Sequence, residues 1–379
     1  MHKGVLDRSH RLTWLCRPVC FYMALVAILT ISVWFGGCSD KKEVPTFATP
    51  PVPEIQTWLY DVWGSSANDI FVVGQPGIVL HYDGSGWRQM SVPTNVPLIE
   101  VWGRSSNEVY ACGHRGVILR YNGSSWSTMA SGTSENLYGI GSYRGEVYCV
   151  GHKGTLLRLS GSSWVNTSTF IIRRTPSGSP LDTLDRNDDI NSLTTVTHYG
   201  IGGSDGIVLM KDPIDTNIEW IVRLVAAGME FVLDGHSNDV TLGSNYLVTS
   251  GGRIFRLQES TNALELSWLE LSGLAPESKA INGIWADTGD TLGDILHLAT
   301  RDGKVYQREN TGVKFPPSHD GSDVLYGIWG SASDNIYAVG INATVIRFDG
   351  ISWEKVDVGL STKAAAEMIV YDKFGRLLY

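Results

Sequence analysis

Positive charge and cysteine are both scarce in this chain of 379 residues. Its 30 lysines and arginines are outnumbered by 39 aspartates and glutamates, which gives a formal net charge of −9. This balance argues against nucleic acid as a partner, because proteins that bind nucleic acids normally carry a surplus of basic residues. Only five cysteines are present, and two of them, Cys16 and Cys20, lie in the N-terminal segment.

Motifs of common catalytic sites are absent as well. The sequence contains no nucleophile elbow, no glycine-rich phosphate loop and no zinc-binding helix motif. No second hydrophobic run of about 18 residues follows Cys38, so the body of the protein is expected to be soluble. We therefore expect no enzymatic activity and no cofactor.

The first 38 residues are expected to be a targeting segment that takes no part in the fold. Basic residues precede an apolar run over residues 21–35, and the run ends at Gly36-Gly37-Cys38. This ending resembles the lipobox of bacterial lipoproteins, which implies that Cys38 is acylated and becomes the first residue of the mature protein. Phe35 stands where leucine is usual in that motif, so an uncleaved inner-membrane signal anchor is the alternative.

Residues 39–57 read as a proline-rich linker, and residues 58–379 remain for one large closed β domain. Ser39 follows Cys38, and the resemblance to outer-membrane lipoproteins then implies that no inner-membrane retention signal is present. We expect a monomer that its lipid anchor holds in the cell envelope at the outer membrane, on the periplasmic or the surface side.

One sequence repeat occurs four times in this domain, and its first copies are about 39 residues apart. The first copy runs from Leu59 to Trp87, and the others cover residues 98–126, 137–164 and 325–353. Each copy divides into four short runs rich in Val, Ile, Tyr and Phe, separated by turn residues such as Asp83-Gly84. That pattern predicts four antiparallel strands, and one such sheet buries too little surface to be stable alone.

Radial stacking of these sheets predicts an all-β fold, a seven-bladed β-propeller of four-stranded antiparallel blades. Three divergent copies of the repeat, between residues 194 and 307, supply the remaining blades. Because a further hairpin is predicted over residues 366–378, six and eight blades are alternatives to seven. The strand that closes the ring is not assigned. Cys112 and Cys149 fall on equivalent strands of adjacent blades, where buried free thiols are favoured over a disulfide.

Basic residues occur at or near the turns between the second and third strands of several blades. In a propeller these turns share one face, so the side chains would form a partial rim around the channel mouth and attract an anionic group. Ordinary exposed turn residues are the alternative, and two histidines without a third ligand predict no metal site. The candidate rim comprises His114, Arg115, His152, Lys153, Arg253 and Arg301.

Asp61 and Glu100 occupy the middle of the strands predicted to be innermost. Both carboxylates are expected to project toward the channel, where each could raise the pKa of the other. Because glycosidases use a pair of carboxyl groups, a carbohydrate-active enzyme with its site in the channel is the alternative function.

The phrase Val62 to Ser66, followed by Asp69 to Gly74 and His81 to Trp87, is similar to the repeat of secreted bacterial β-propellers. The similarity extends to the sialidase type, the photosystem II assembly factor type and the WD40-like type. The turn from Asp83 to Trp87 resembles the Asp-box hairpin, although it is one residue short. This resemblance implies a lipid-anchored, non-enzymatic scaffold that presents one face of the disc to an envelope protein or a glycan.

Overall fold

The computed structural model describes most of the chain between residues 57 and 360, all of it within the compact unit Pro53–Tyr379. The signal segment, Cys38, the linker through residue 56 and the hairpin predicted over residues 366–378 lie outside the described residues. None of the described residues forms a helix long and apolar enough to cross a membrane. The described residues are 57–167, 171–174, 180–184, 193–197, 200–204, 207–210, 220–224, 231–236, 245–259, 266–271, 281–287, 294–309, 312–313 and 317–360.

Blades 1 to 3 are four-stranded antiparallel sheets built from the first three clear repeats. Their strands are β1 (Trp58–Ser66), β2 (Asp69–Gln75), β3 (Ile78–Tyr82) and β4 (Trp87–Gln89); β5 (Leu98–Ser105), β6 (Glu108–Gly113), β7 (Ile118–Tyr121) and β8 (Trp126–Met129); β9 (Leu137–Tyr143), β10 (Glu146–Gly151), β11 (Thr155–Ser160) and β12 (Ser163–Asn166). A single 3-10 turn, His114–Gly116, joins β6 to β7.

Blades 4 to 6 are formed by the divergent repeats, and blade 7 is formed by the fourth clear repeat. Blade 4 contains β13 (Ile171–Arg174), β14 (Pro180–Leu184), β15 (Leu193–Val196), β16 (Ile201–Gly203), β17 (Ile207–Met210) and β18 (Trp220–Leu224). Blade 5 contains β19 (Val232–His236), β20 (Tyr246–Thr249), β21 (Ile254–Glu259) and β22 (Leu266–Glu270). Blade 6 contains β23 (Ile281–Asp287), β24 (Ile295–Thr300), β25 (Lys304–Glu309), β26 (Gly312–Val313) and β27 (His319–Asp320). Blade 7 contains β28 (Leu325–Ala332), β29 (Asn335–Gly340), β30 (Val345–Phe348) and β31 (Trp353–Lys355).

The seven blades form a ring, which confirms the predicted seven-bladed β-propeller. The innermost strands β1, β5, β9, β15, β19, β23 and β28 contact one another in that order, and β28 contacts β1. Two features of the divergent repeats were not predicted. The hairpin β13–β14 widens blade 4 to six strands, with β13 parallel to β18, and β19 forms the inner strand of blade 5.

The ring closes between blade 7 and blade 1, and no strand is exchanged among the described residues. All four strands of each of these two blades come from one continuous stretch of chain. The backbone N–H of Ala343 donates a hydrogen bond to the carbonyl of Thr57 across this junction, at 2.9 Å. Trp58 and Tyr60 pack there in one buried cluster with Tyr326. Side-chain packing thus replaces the covalent continuity that an exchanged strand would give.

The hydrophobic core is divided into clusters that lie between neighbouring blades. Between blades 2 and 3, Cys112 and Cys149 share one such cluster with Trp164. Both cysteines are buried and free, as favoured from the sequence. Their thiols face each other, and burial together with a hydrogen bond to Cys149 raises the pKa of the Cys112 thiol.

Candidate functional site

A β-bulge occurs near the start of every inner strand, after the first pair with the second strand or, in β1, after the second pair. A bulge turns one extra side chain out of the regular alternation of the strand. All seven of these side chains are buried, and those of Thr194 and Asn282 donate hydrogen bonds to backbone carbonyls of the next inner strand. We call them the floor residues, and they are Tyr60, Ile99, Tyr138, Thr194, Leu233, Asn282 and Tyr326.

Beyond the floor residues the axis opens into a cavity of about 1020 Å³. The mouth lies on the face that carries the turns between first and second strands, which we call the upper face. Arg104, Asp287 and the turn residues Ser331 and Ser333 line this mouth. Deeper in the cavity, each blade contributes the residue two positions after its floor residue, namely Val62, Val101, Ile140, Val196, Gly235, Ile284 and Ile328.

Three carboxylates stand directly after floor residues and line the cavity: Asp61, Glu100 and Asp234. Asp61 accepts a hydrogen bond from the backbone N–H of Val101 in the next blade, at 3.0 Å. Asp234 accepts the equivalent bond from Ile284 in its own next blade, at 2.9 Å. The carboxylates of Asp61 and Asp234 therefore join neighbouring inner strands as well as bordering the cavity.

Asp234 was missed in the sequence because blade 5 lacks the Trp-Gly pair that marks the inner strands of blades 1, 2 and 7. The only available signal was the short sequence Val232-Leu233-Asp234 between two turn-rich segments. Asp61 and Glu100, which the sequence did single out, both border the cavity.

Four tryptophans, two positions after the carboxylate position, also line the cavity: Trp63, Trp102, Trp285 and Trp329. Their rings reach over a small residue of the next blade. A β-carbon built at Gly103 would lie 2.6 Å from Cη2 of Trp63, and one built at Gly330 would lie 2.8 Å from Cζ2 of Trp285. These rings thus pack between blades and present their remaining surface to the cavity.

His236 takes the tryptophan position in blade 5 and lines the cavity. Its ring meets that of Trp285 edge to face, with centroids 6.4 Å apart. Burial lowers the pKa of His236 to about 4, and the opposing effect of the Asp294 carboxylate is smaller. The hydroxyl of Tyr246 donates a hydrogen bond to Asp294 Oδ2 at 2.7 Å, which fixes that carboxylate. His236 is therefore a neutral imidazole at pH 7.

The six residues of the candidate basic rim lie at the opposite end of the disc, on the lower face. His114 and Arg115 lie in the 3-10 turn between β6 and β7, and His152 and Lys153 lie in the turn between β10 and β11. The turn between β20 and β21 carries Arg253, and the turn between β24 and β25 carries Arg301. None of the six rim residues lines the cavity.

Local partners already engage much of this rim. Glu135 holds both His152, at 3.0 Å, and Lys153, at 2.8 Å, and these two donors lower the pKa of its carboxyl group. Arg253 lies 3.4 Å from Glu270. Burial, with a smaller contribution from Arg115, lowers the pKa of His114. An anion-binding role for the rim stays a prediction.

No three His, Cys, Asp or Glu side chains of the described residues are arranged to hold a metal ion. No family model matches the chain. No curated protein matches it either.

Solved structures do resemble the propeller. YCF48 from Cyanidioschyzon merolae is 16% identical with a TM-score of 0.54, covering 79% of this chain and 97% of that one. YCF48 bound to D1 peptide is 15% identical with a TM-score of 0.50, covering 81% and 99%. The WD40 β-propeller domain of Doa1 is 13% identical with a TM-score of 0.56, covering 77% and 92%. At these identities the similarity shows a shared fold.

Proposed function

We propose that this chain is a non-enzymatic binding scaffold of the bacterial cell envelope, which takes a segment of a partner protein into its axial cavity. The observation that carries the proposal is the cavity itself, which opens on the upper face and which none of the buried floor residues lines. Its volume of about 1020 Å³ can hold a chain end or a loop of a partner.

The similar structures support a protein partner. YCF48 has been solved bound to D1 peptide, so a propeller of this general shape can carry a polypeptide. In the present chain, Trp63 and Trp329 offer aromatic surface at the cavity, and aromatic side chains are the usual anchors of protein interfaces.

The anchoring part of the proposal depends on Cys38. Acylation there, followed by the proline-rich linker, would hold the disc clear of the lipid surface. Radioactive palmitate should label the wild-type protein in cells and should not label the Cys38→Ser variant. Labelling of neither protein, with an intact N-terminus in the mass spectrum, would favour the signal anchor.

Binding at the upper face can be tested by photo-crosslinking in intact cells. A benzophenone amino acid at Ser333, at the mouth of the cavity, should cross-link to one defined peptide of a partner protein. The matched control is Ser134, which is also exposed in a turn but lies on the lower face. The proposal fails if cross-links form at Ser134 instead, at both positions alike, or at neither.

Carbohydrate hydrolysis in the same cavity is the alternative function. The hydrogen bond from Val101 gives Asp61 a structural role, and Asp234 plays the same role in blade 5. Packing therefore accounts for Asp61 without catalysis. Activity on a glycan panel that the Glu100→Gln variant loses would overturn the scaffold proposal.

A further inference from the structure

The wall of the cavity is asymmetric. Blades 6, 7, 1 and 2 are consecutive around the ring, and each has a tryptophan at the equivalent position of its inner strand. Blades 3, 4 and 5 have Gly141, Thr197 and His236 there. The seven-fold repeat is thus divided into an aromatic arc of four blades and an open arc of three.

Smaller side chains stand on the open arc where indole rings stand elsewhere. On the aromatic side, three of the four rings pack over a glycine of the next blade, as Trp329 does over Gly64. On the other side, Ser142, Gly145, Gly235 and His236 line the cavity directly. A ligand that enters from the upper face therefore meets aromatic surface on one side and small or polar groups on the other.

Negative charge dominates the cavity among its described lining residues. Four carboxylates, those of Asp61, Glu100, Asp234 and Asp287, border it together with one guanidinium, that of Arg104. Arg104 is itself tied to the wall, since it donates a hydrogen bond to the carbonyl of Gly145 at 2.9 Å and lies 3.5 Å from Glu108.

We propose that the cavity accepts a lysine or arginine side chain of the partner polypeptide, held by the carboxylates and the indole rings that line the cavity. Carboxylates and indole faces are the two kinds of group that attract a guanidinium or an ammonium ion. A concave wall of low dielectric concentrates the field of such charges. The cavity of about 1020 Å³ exceeds one side chain, so flanking backbone would enter as well. This inference rests on the proposed scaffold function.

Defined peptides can test the ligand class. The probes are the acetylated and amidated pentapeptides Gly-Gly-Arg-Gly-Gly, the same peptide with citrulline, and the same peptide with glutamate. Binding is measured by tryptophan fluorescence, because four indole rings line the cavity, and by calorimetry. We expect the arginine peptide to bind about tenfold more tightly than the neutral citrulline peptide, which has nearly the same shape, and more weakly as salt is raised.

Two variants test whether the arginine peptide binds inside the cavity. Asp287→Asn should weaken arginine binding several-fold, and Ser142→Arg should abolish it by placing a tethered guanidinium in the cavity. Ser134→Arg adds the same charge on the lower face and should leave binding unchanged. Thermal unfolding of each variant checks that it is folded.

Equal binding of the arginine and citrulline peptides, or binding of neither, would overturn the inference. So would saturable binding of a neutral oligosaccharide such as maltohexaose that Ser142→Arg removes. The scaffold proposal has its own readout, because a cross-link from Ser333 to an acidic or uncharged partner segment would support it while contradicting the cationic ligand.

Discussion

Replacing Gly64 by alanine tests the packing that closes the ring. A β-carbon there would lie 2.5 Å from Cη2 of Trp329, 2.8 Å from its Cζ3, and 2.9 Å from the carbonyl oxygen of Asp69. The ring of Trp329 packs against the buried clusters on both sides of its blade, so it cannot retreat without displacing its neighbours. Overpacking of this kind costs about 1–3 kcal/mol.

A smaller effect acts in the opposite direction, because alanine restricts the unfolded chain more than glycine and so stabilises the fold by up to about 1 kcal/mol. We therefore expect Gly64→Ala to lower the free energy of unfolding by about 1–2 kcal/mol. Urea denaturation followed by tryptophan fluorescence measures this difference as a shift of the midpoint at constant slope.

Gly86→Ala is the matched control, because a β-carbon there has no neighbour within 4 Å and the backbone needs no positive φ. It should be neutral or slightly stabilising. In a Trp329→Leu background the cost of Gly64→Ala should fall, since the clashing ring atoms are gone and only the carbonyl oxygen of Asp69 stays close. A Gly64→Ala variant as stable as the control, or one that keeps its full cost without the indole, would refute the packing argument.

Three further predictions concern titration and thiol chemistry. Hydrogen bonds from Ser85 lower the pKa of Asp83 from 3.8 to about 2, so its contribution to stability is present above pH 3.8 and is lost as the pH falls through about 2. Unfolding of Asp83→Asn should accordingly depend less on pH in this window. His236 should titrate by NMR near pH 4, and its effect is a loss of stability as the pH falls from 6.5 toward 4; a midpoint near 6.5 would contradict its burial. Cys112 and Cys149 should react with Ellman's reagent only after unfolding, with the Cys112→Ser/Cys149→Ser double variant as the blank.

The sequence was most informative where turn chemistry repeats. Asp83-Gly84 and Asn122-Gly123 mark hairpins without reference to the rest of the fold, and Gly84 and Gly123 do adopt positive φ angles of 86° and 94°. The strands of blades 1, 2, 3 and 7 could be placed from these turns. The inner strand β19 could not, because its five residues include no tryptophan and contain Asp234-Gly235, a pair that elsewhere in this chain marks a turn.

The cavity was harder to foresee than the blades. The floor residues have nothing in common chemically, since tyrosine, isoleucine, threonine, leucine and asparagine all occur among them. Their shared burial comes from strand register, because the bulge re-aims whichever residue stands at that point of the inner strand. Register is a property of the folded sheet, so the sequence alone did not show which residues the bulges would bury.

The residue directly after each floor residue lies where neighbouring inner strands meet. Where it is glycine, the next inner strand comes close: a β-carbon at Gly283 would lie 2.9 Å from the carbonyl of Tyr326, and one at Gly327 would lie 2.8 Å from Cα of Asp61. Where it is aspartate, as at Asp61, the side chain reaches the next strand through a backbone hydrogen bond. Both solutions hold neighbouring blades together, so loss of ligand binding in an Asp61 variant would not separate recognition from packing. Asp287, at the end of β23 and at the mouth of the cavity, lies beyond this contact, so its substitution leaves the junction between the inner strands in place.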